Sequence, residues 1–245
     1  MKRPVFAANW KMNIGPNEAL AYLRKFLSKY KKHTDRSVIL IPLTISLATV
    51  VAALSRRKDI LVGVQNIHTE AKGAFTGETS AAMARDAGAR VTLVGHSERR
   101  HVFGELDSAT AIKCRLALDH GLQPILCVGE TLEQRAAGKT EDTVLRQLRI
   151  GLSEIQAAQI GGVVLAYEPM WAIGTGHNAT PADASHVHHV LRAEIAKLSG
   201  SAKTALSIPI LYGGSVNNVN AASLLEADDV DGLLVGGAKI GRAHV

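Results

Sequence analysis

Four side chains able to handle protons and charge stand where short apolar runs end: Asn9 and Lys11, His96, and Glu168. A carboxylate shielded from water is a competent general base, an imidazole or amide can donate to an oxygen, and an ammonium can stabilise developing negative charge. Glu168 closes an apolar run and precedes Pro169. Taken alone it reads more readily as a solvated strand-end carboxylate or a helix cap, and the segment after it, with Pro169 at one end, Gly174 and Gly176 at the other and Met170 to Ile173 as an apolar middle able to exclude water, turns the reading toward a base. His96 alone reads as a buried histidine satisfied by backbone. Its setting adds a second reading, because Ser97 is placed to cap a short helix starting at Glu98, and a helix amino end disfavours an imidazolium. Lys11 taken singly is a surface lysine, yet it follows a run ending in Asn9-Trp10. Ser215 and the pair Gly236-Gly237 occupy the same kind of position after later runs.

These residues are far apart in the chain, so the elements that carry them decide whether they meet. Short runs rich in Val, Ile and Leu alternate with longer stretches of helical period, which predicts βα units around a parallel sheet buried on both faces. Eight strands are expected at 5–10, 38–41, 60–65, 91–94, 123–128, 163–167, 208–212 and 232–235. Amphipathic helices are expected at 19–31, 109–120, 143–157 and 182–198, where apolar residues recur at three and four positions. Eight strands in 245 residues fit one closed (β/α)8 barrel domain over residues 1–245. A doubly wound open sheet uses the same alternation, but Gly174-Thr175-Gly176 follows the sixth strand rather than the first and gives it no support. In a closed parallel barrel the carboxyl ends of all strands converge on one face, and the dispersed polar residues become a pocket.

Composition narrows the partners. The chain is 47% hydrophobic and 20% charged with a mean hydropathy of +0.09, as expected of a globular chain with a large core. Twenty-eight Lys and Arg against 22 Asp and Glu give a formal charge of +6, which favours anionic partners through long-range attraction. The basic residues fall in short pieces, Lys31-Lys32, Arg56-Arg57-Lys58 and Arg99-Arg100, without interleaved aromatics, which argues against nucleic acid. Cys114 and Cys127 form neither a CxxC pair nor a disulfide framework, so a reducing, cytoplasmic setting is expected. Asn9 interrupts the first apolar run too early for a secretory signal, and no apolar run is long enough to span a bilayer. His186, His188 and His189 share a helix without a carboxylate or cysteine pattern, and an exposed helical face is expected for them.

Five strings carry a family resemblance. Asn9-Trp10-Lys11-Met12-Asn13, Gly73-Ala74-Phe75-Thr76-Gly77-Glu78, Gly95-His96-Ser97-Glu98-Arg99-Arg100, the stretch from Tyr167-Glu168-Pro169 through Trp171 to Gly174-Thr175-Gly176, and Tyr212-Gly213-Gly214-Ser215-Val216 follow one another as in triosephosphate isomerases. The sequence resembles that family over most of its length. The resemblance implies a TIM barrel that interconverts dihydroxyacetone phosphate and D-glyceraldehyde 3-phosphate through an enediolate, without metal or organic cofactor. It implies Glu168 as the base, a neutral His96 as the donor to the substrate oxygen, Lys11 and Asn9 as charge stabilisers, and a lid after Glu168 that closes on the phosphate. A glutamate base beside a neutral histidine is the standard description of that family's chemistry. Backbone amides at Gly174, Ser215, Gly236 and Gly237 would then hold the phosphate, since glycine permits close approach and helix amino ends favour anions; otherwise they read as ordinary turn residues after strands. The resemblance also implies a homodimer, in which the long segment 66–79 enters the neighbour with Thr76 near its Asn9 and Lys11. Cys127 and Glu98 match family positions too, although a small buried hydrophobe and a helix-start carboxylate account for them equally.

The chain departs from the family after Gly236-Gly237-Ala238. A complete eighth helix is expected to be lacking, and Ile240 to Val245 back-translates as ATC GGA AGA GCA CAC GTC, which resembles a sequencing adapter and suggests a natural continuation of different sequence. The rival functions are another phosphate-binding barrel enzyme, disfavoured because no lysine sits within a strand as a Schiff-base residue would, and a noncatalytic or weakly active barrel that retains a phosphate site.

Overall fold

The computed structural model describes residues 1–172 and 179–236. Eight parallel strands pair in sequence order and close on themselves: β1 (Val5–Asn9), β2 (Ser37–Ile41), β3 (Ile60–Val64), β4 (Val91–Val94), β5 (Gln123–Val128), β6 (Val164–Tyr167), β7 (Ile210–Tyr212) and β8 (Gly232–Val235), with β8 paired back to β1. The strands lie where the apolar runs predict them, within two residues at each end. Ten helices are described: α1 (Pro16–Lys29), α2 (Leu47–Ala53), α3 (Ala81–Asp86), α4 (Ser97–His101), α5 (Asp107–Asp119), α6 (Leu132–Ala136), α7 (Thr140–Gly151), α8 (Pro181–Ser199), α9 (Ala202–Ser207) and α10 (Ala221–Leu225). Expectations about the chain beyond Gly236 fall outside the described residues.

Strand alternation separates two layers of core. Ile39 and Ile41, Leu93, Ile125 and Cys127, and Ala166 point into the barrel and pack together. Their neighbours Val38 and Leu40, Leu126 and Val128, and Leu165 and Tyr167 point outward against the helices. Both faces are therefore apolar, which is why the strands read as unbroken hydrophobic runs.

The helix ends follow local chemistry. In α8, Thr180 accepts from the Asp183 amide while Asp183 reaches back to Thr180, Pro181 occupies the first turn, and Gly200 ends the helix with φ 65. α7 differs from the expected 143–157: it starts at Thr140, where Glu141 and Asp142 suit an amino end, and stops at Gly151. A Cβ at Gly151 would lie 2.7 Å from the Leu126 side chain, so the chain packs closely there before a separate turn at Ala157–Gly162.

Candidate active site

Parallel pairing puts the ends of β1, β4, β6, β7 and β8 on one face, and with them Asn9, His96, Glu168, Ser215 and Gly236. Three of these side chains meet. His96 Nε2 lies 3.2 Å from Glu168 Oε1 and 3.2 Å from Asn9 Nδ2. Asn9 and Glu168 are almost fully buried, as is His96.

The hydrogen bonds fix the donors. His96 Nδ1 accepts the Glu98 amide proton at 3.2 Å, so that nitrogen bears a lone pair and the neutral ring carries its proton on Nε2. Asn9 Oδ1 accepts from the Lys11 amide at 3.0 Å, which turns the Asn9 NH2 toward His96. Two N–H groups thus converge beside one carboxylate, an arrangement suited to an oxygen that gains charge. His96 itself is the cap of α4, not Ser97 as the sequence suggests, and the helix begins one residue earlier. This shift frees the Ser97 amide, which donates to Glu168 Oε2 at 2.8 Å.

Glu168 directly follows β6, and its own amide donates to the Val128 carbonyl at 2.8 Å. Two glycines make its position available. A Cβ on Gly129 would sit 1.9 Å from the Glu168 carbonyl oxygen, and one on Gly213 would sit 2.8 Å from Glu168 Cγ. Neither role is visible in the sequence, where both read as turn residues after strands.

Lys11 reaches the same face. Its backbone has φ 50, a conformation costing a residue with a side chain about 1 kcal/mol, and the Asn9 side chain and Gln65 Nε2 hold its N–H and carbonyl at 3.0 and 2.8 Å. Its ammonium pairs with Glu98 Oε1 at 2.6 Å, and its Cε passes over Gly236, where a Cβ would meet it at 2.8 Å. Glu98 therefore links Lys11 to the amide that fixes the His96 ring.

Supporting residues that the sequence reading did not single out complete the frame. Glu105 accepts from the Gly95 amide at 3.1 Å, Arg99 at 3.0 Å and Lys113 at 2.9 Å. Burial alone would raise its carboxyl, but Lys113 and Arg99 hold it below the usual range. Arg100 donates to the Gly95 and Cys127 carbonyls at 2.7 and 3.1 Å and pairs with Asp107. The turn that presents His96 is thus clamped from both sides. Beyond Glu168, the buried Glu130 Oε1 accepts from the Tyr167 hydroxyl at 3.0 Å and the Trp171 indole at 2.8 Å, and Arg135 stacks 4.2 Å over the Trp171 ring. Burial first, and then Glu130, push the Tyr167 phenol far up, so it remains a donor. A carboxylate just after a strand, followed by a polar turn, was the available signal for Glu130.

The phosphate candidates divide. Gly236 lies beside Lys11, whereas the Ser215 amide donates to the Ala172 carbonyl at 3.0 Å and so ties the β7 end to the segment after Glu168. Gly174 and Gly237 lie outside the described residues.

Comparison with known proteins gives the chemistry its family. The pattern described as triosephosphate isomerase matches residues 4–244. The chain belongs to the triosephosphate isomerase family. It is 47% identical to the triosephosphate isomerase of Chloroflexus aurantiacus, over 99% of this chain and 96% of that one. It is 45% identical to those of Syntrophotalea carbinolica, over 98% and 94%, and Herpetosiphon aurantiacus, over 99% and 96%.

Expectations about two other sets of residues fare differently. Cys127 is fully buried inside the barrel, where burial holds its thiol well above the ordinary range, so it behaves as the small hydrophobe expected. His186 and His189 are exposed on α8, but His188 is wholly buried, donating from Nδ1 to the Asp229 carbonyl at 3.0 Å. It falls on the inward stripe of Ala184, Leu191 and Ile195, and its position rather than its polarity decides its burial.

Proposed function

We propose that this triosephosphate isomerase family member interconverts dihydroxyacetone phosphate and D-glyceraldehyde 3-phosphate with Glu168 as the base. The carboxylate takes a proton from the carbon next to the carbonyl, and the C–H electron pair moves into the new carbon–carbon double bond while the carbonyl pair moves onto oxygen. His96 Nε2–H and the Asn9 amide donate to that oxygen, and Lys11 stabilises the enediolate and phosphate charges. The oxygen that gained charge takes up a proton through His96 Nε2, the hydroxyl on the deprotonated carbon gives one up so that its oxygen becomes the new carbonyl, and Glu168 returns its proton to the former carbonyl carbon, which completes the exchange. Backbone amides at Gly174, Gly236 and Gly237 hold the phosphate in this reading, and the Ser215 amide joins them by exchanging the Ala172 carbonyl for a phosphate oxygen. A carboxylate and three N–H donors supply both the base and the charge stabilisation, so the relay calls for no metal or organic cofactor.

The observation that carries the assignment is the meeting of Glu168, His96 and Asn9 within 3.2 Å, with the donor protons fixed by backbone contacts. A coupled assay with glyceraldehyde 3-phosphate tests it. Turnover in the wild type that is lost in Glu168→Gln is expected; full activity in that variant would refute the assignment.

The protein acts as a homodimer in this reading, and the barrel as one domain. Met12, Ile45, Phe75, Met83, Val102 and Phe103 are exposed, and they lie in or beside the connections that leave β1, β2, β3 and β4, four consecutive strands. Such a contiguous apolar surface suits a second copy. The segment after β3 is closed at its base by His68 N–H donating to the Thr79 carbonyl at 2.8 Å, and the His68 ring packs at a tilt against Phe75 with centroids 4.3 Å apart. A cytoplasmic setting is consistent with the two buried free cysteines. Among the described residues no helix is long and apolar enough to cross a membrane.

A further inference from the structure

The positive charge is concentrated in one part of the chain. Residues 1–64 hold twelve Lys and Arg against three Asp and Glu, whereas residues 65–245 hold sixteen against nineteen. The whole surplus comes from the segment folded as β1, α1, β2, α2 and β3.

In a parallel barrel every segment leading into a strand lies on the rim at the strands' amino ends, opposite the catalytic face. Because β1 to β4 are consecutive neighbours, the segments leading into them form one arc of that rim. Lys2 precedes β1, Lys31 and Lys32 precede β2, Arg56 and Lys58 precede β3, and Arg90 precedes β4; all six are exposed. Contacts knit the arc together. Lys2 Nζ donates to the Thr34 carbonyl at 2.5 Å, and Arg57 donates to the Tyr30 carbonyl at 3.3 Å while lying 5.5 Å over the Tyr30 ring. Asp59 is held below the usual carboxylate range first by its hydrogen bonds to Arg57 and further by Lys32, which places the Lys31-Lys32 segment beside the next one.

The acids on the segments leading into β2 and β3 are engaged, Asp35 with Arg36 and Asp59 with Arg57, and Asp231, just before β8, holds Arg3; Asp86, at the end of α3, is exposed. None of the six exposed cations forms an ion pair among the described residues, and with Asp86 as the one exposed acid among them left outside an ion pair the field of the arc is strongly positive.

We propose that this arc is a docking surface for a flexible acidic segment of another polypeptide. Arg3, Arg36 and Arg57, whose guanidiniums could grip phosphate in a fork, are committed to aspartates, and most of the free cations are ammoniums, which act as point charges without a fixed geometry. Tyr30 is covered by Phe26 and Arg57 and offers no free face for stacking a base. A rim that curves around four strand ends suits a chain that can follow it better than a flat bilayer. Docking there leaves the catalytic face and the apolar surface beside it open.

Binding of a fluorescent poly-glutamate peptide to the full-length protein, read by anisotropy against salt, tests the proposal. Saturable binding near physiological ionic strength is expected, weakening as salt rises. The triple change Lys31→Glu, Lys32→Glu, Lys58→Glu is expected to weaken it roughly tenfold or more, with kcat and KM of the isomerase reaction unchanged. The matched triple Lys139→Glu, Lys197→Glu, Lys203→Glu, outside the arc, is expected to leave most of the affinity. Equal losses in both triples would reduce the effect to net charge and overturn the proposal. So would absence of peptide binding at physiological salt, or tighter binding of inorganic polyphosphate or phosphatidylserine vesicles than of the peptide.

Discussion

A single methyl group is enough to test how closely the proposed base, Glu168, is held. The Cβ of Gly213→Ala would lie 2.8 Å from Glu168 Cγ and 3.3 Å from the Tyr167 carbonyl, so the flexible carboxylate arm has to give way. Misplacement by about 1 Å can cost roughly 100-fold in rate, and steady-state kinetics on Gly213→Ala are expected to show a kcat loss of that order with the barrel still folded by circular dichroism. Glu168→Asp, which withdraws the carboxylate by one methylene, is expected to lose about as much for the same reason. Wild-type kcat in both variants would mean that the position of this carboxylate does not limit the reaction. The place of Glu168 at the end of a strand was legible in the sequence because it terminates an apolar run, whereas its proposed role as base rested on the family resemblance and the segment that follows it. The room made for it was not, since a glycine after a strand looks the same whether it serves a turn or clears a neighbour's side chain. The cap of α4 shows the same limit: Ser97 is the better capping residue by type, yet the His96 ring takes the role because its Nδ1 lies 3.2 Å from the Glu98 amide.

One buried carboxylate gathers several contacts of the segment after β6. Glu130 Oε1 takes protons from both the Tyr167 hydroxyl and the Trp171 indole, and the Glu130 carbonyl takes the Met170 amide at 3.1 Å, which fixes the turn Met170–Ala172 next to the base. Replacing the acceptor with an apolar group leaves a buried phenol without this partner and takes one acceptor from the indole. Each such loss costs about 1 to 3 kcal/mol, so Glu130→Leu is expected to lower stability in urea by roughly 2 to 4 kcal/mol and to reduce kcat. Glu130→Gln keeps a carbonyl oxygen at the same place and is expected to retain most of both. Chemical denaturation monitored by Trp171 fluorescence separates the two variants, and equal stability of Glu130→Leu and the wild type would show that the contacts contribute nothing. Elements of this kind are only half legible. The Val, Ile and Leu runs place β5 and β6 directly, because strands buried on both faces must be apolar throughout. The carboxylate between them carries no mark in the sequence of being buried, because its partners Tyr167 and Trp171 lie about forty residues further along the chain.

Across the whole molecule the count of eight apolar runs, set between helical stretches, pointed to the closed barrel, but the interior of its helical layer was harder to read. His188 shows why, since a histidine among three in one helix suggests an exposed face until the stripe it belongs to is followed to Ala184, Leu191 and Ile195. Its burial makes folding sensitive to pH. Nδ1–H donates to the Asp229 carbonyl, and Nε2, buried without a partner among the described residues, stands near the edge of the Tyr167 ring. Protonation there would put a charge in an apolar site; burial first, with a further contribution from Arg192, lowers the pKa from 6.5 to about 4. The unfolded chain therefore binds this proton more readily than the folded one. The stabilisation is complete above pH 6.5, is lost progressively as pH falls, and is gone below about 4. A shift of this size corresponds to about 3 kcal/mol. His101, lowered by burial and by Arg100 but partly exposed, adds a smaller slope of the same sign. His188→Asn keeps a donor for the Asp229 carbonyl and removes the titrating nitrogen. Urea denaturation between pH 7 and pH 5 is expected to show the wild type losing stability steeply and His188→Asn much less, so that the two curves converge toward low pH. Parallel curves would show that the proton is taken up elsewhere and that the buried imidazole does not couple folding to acid.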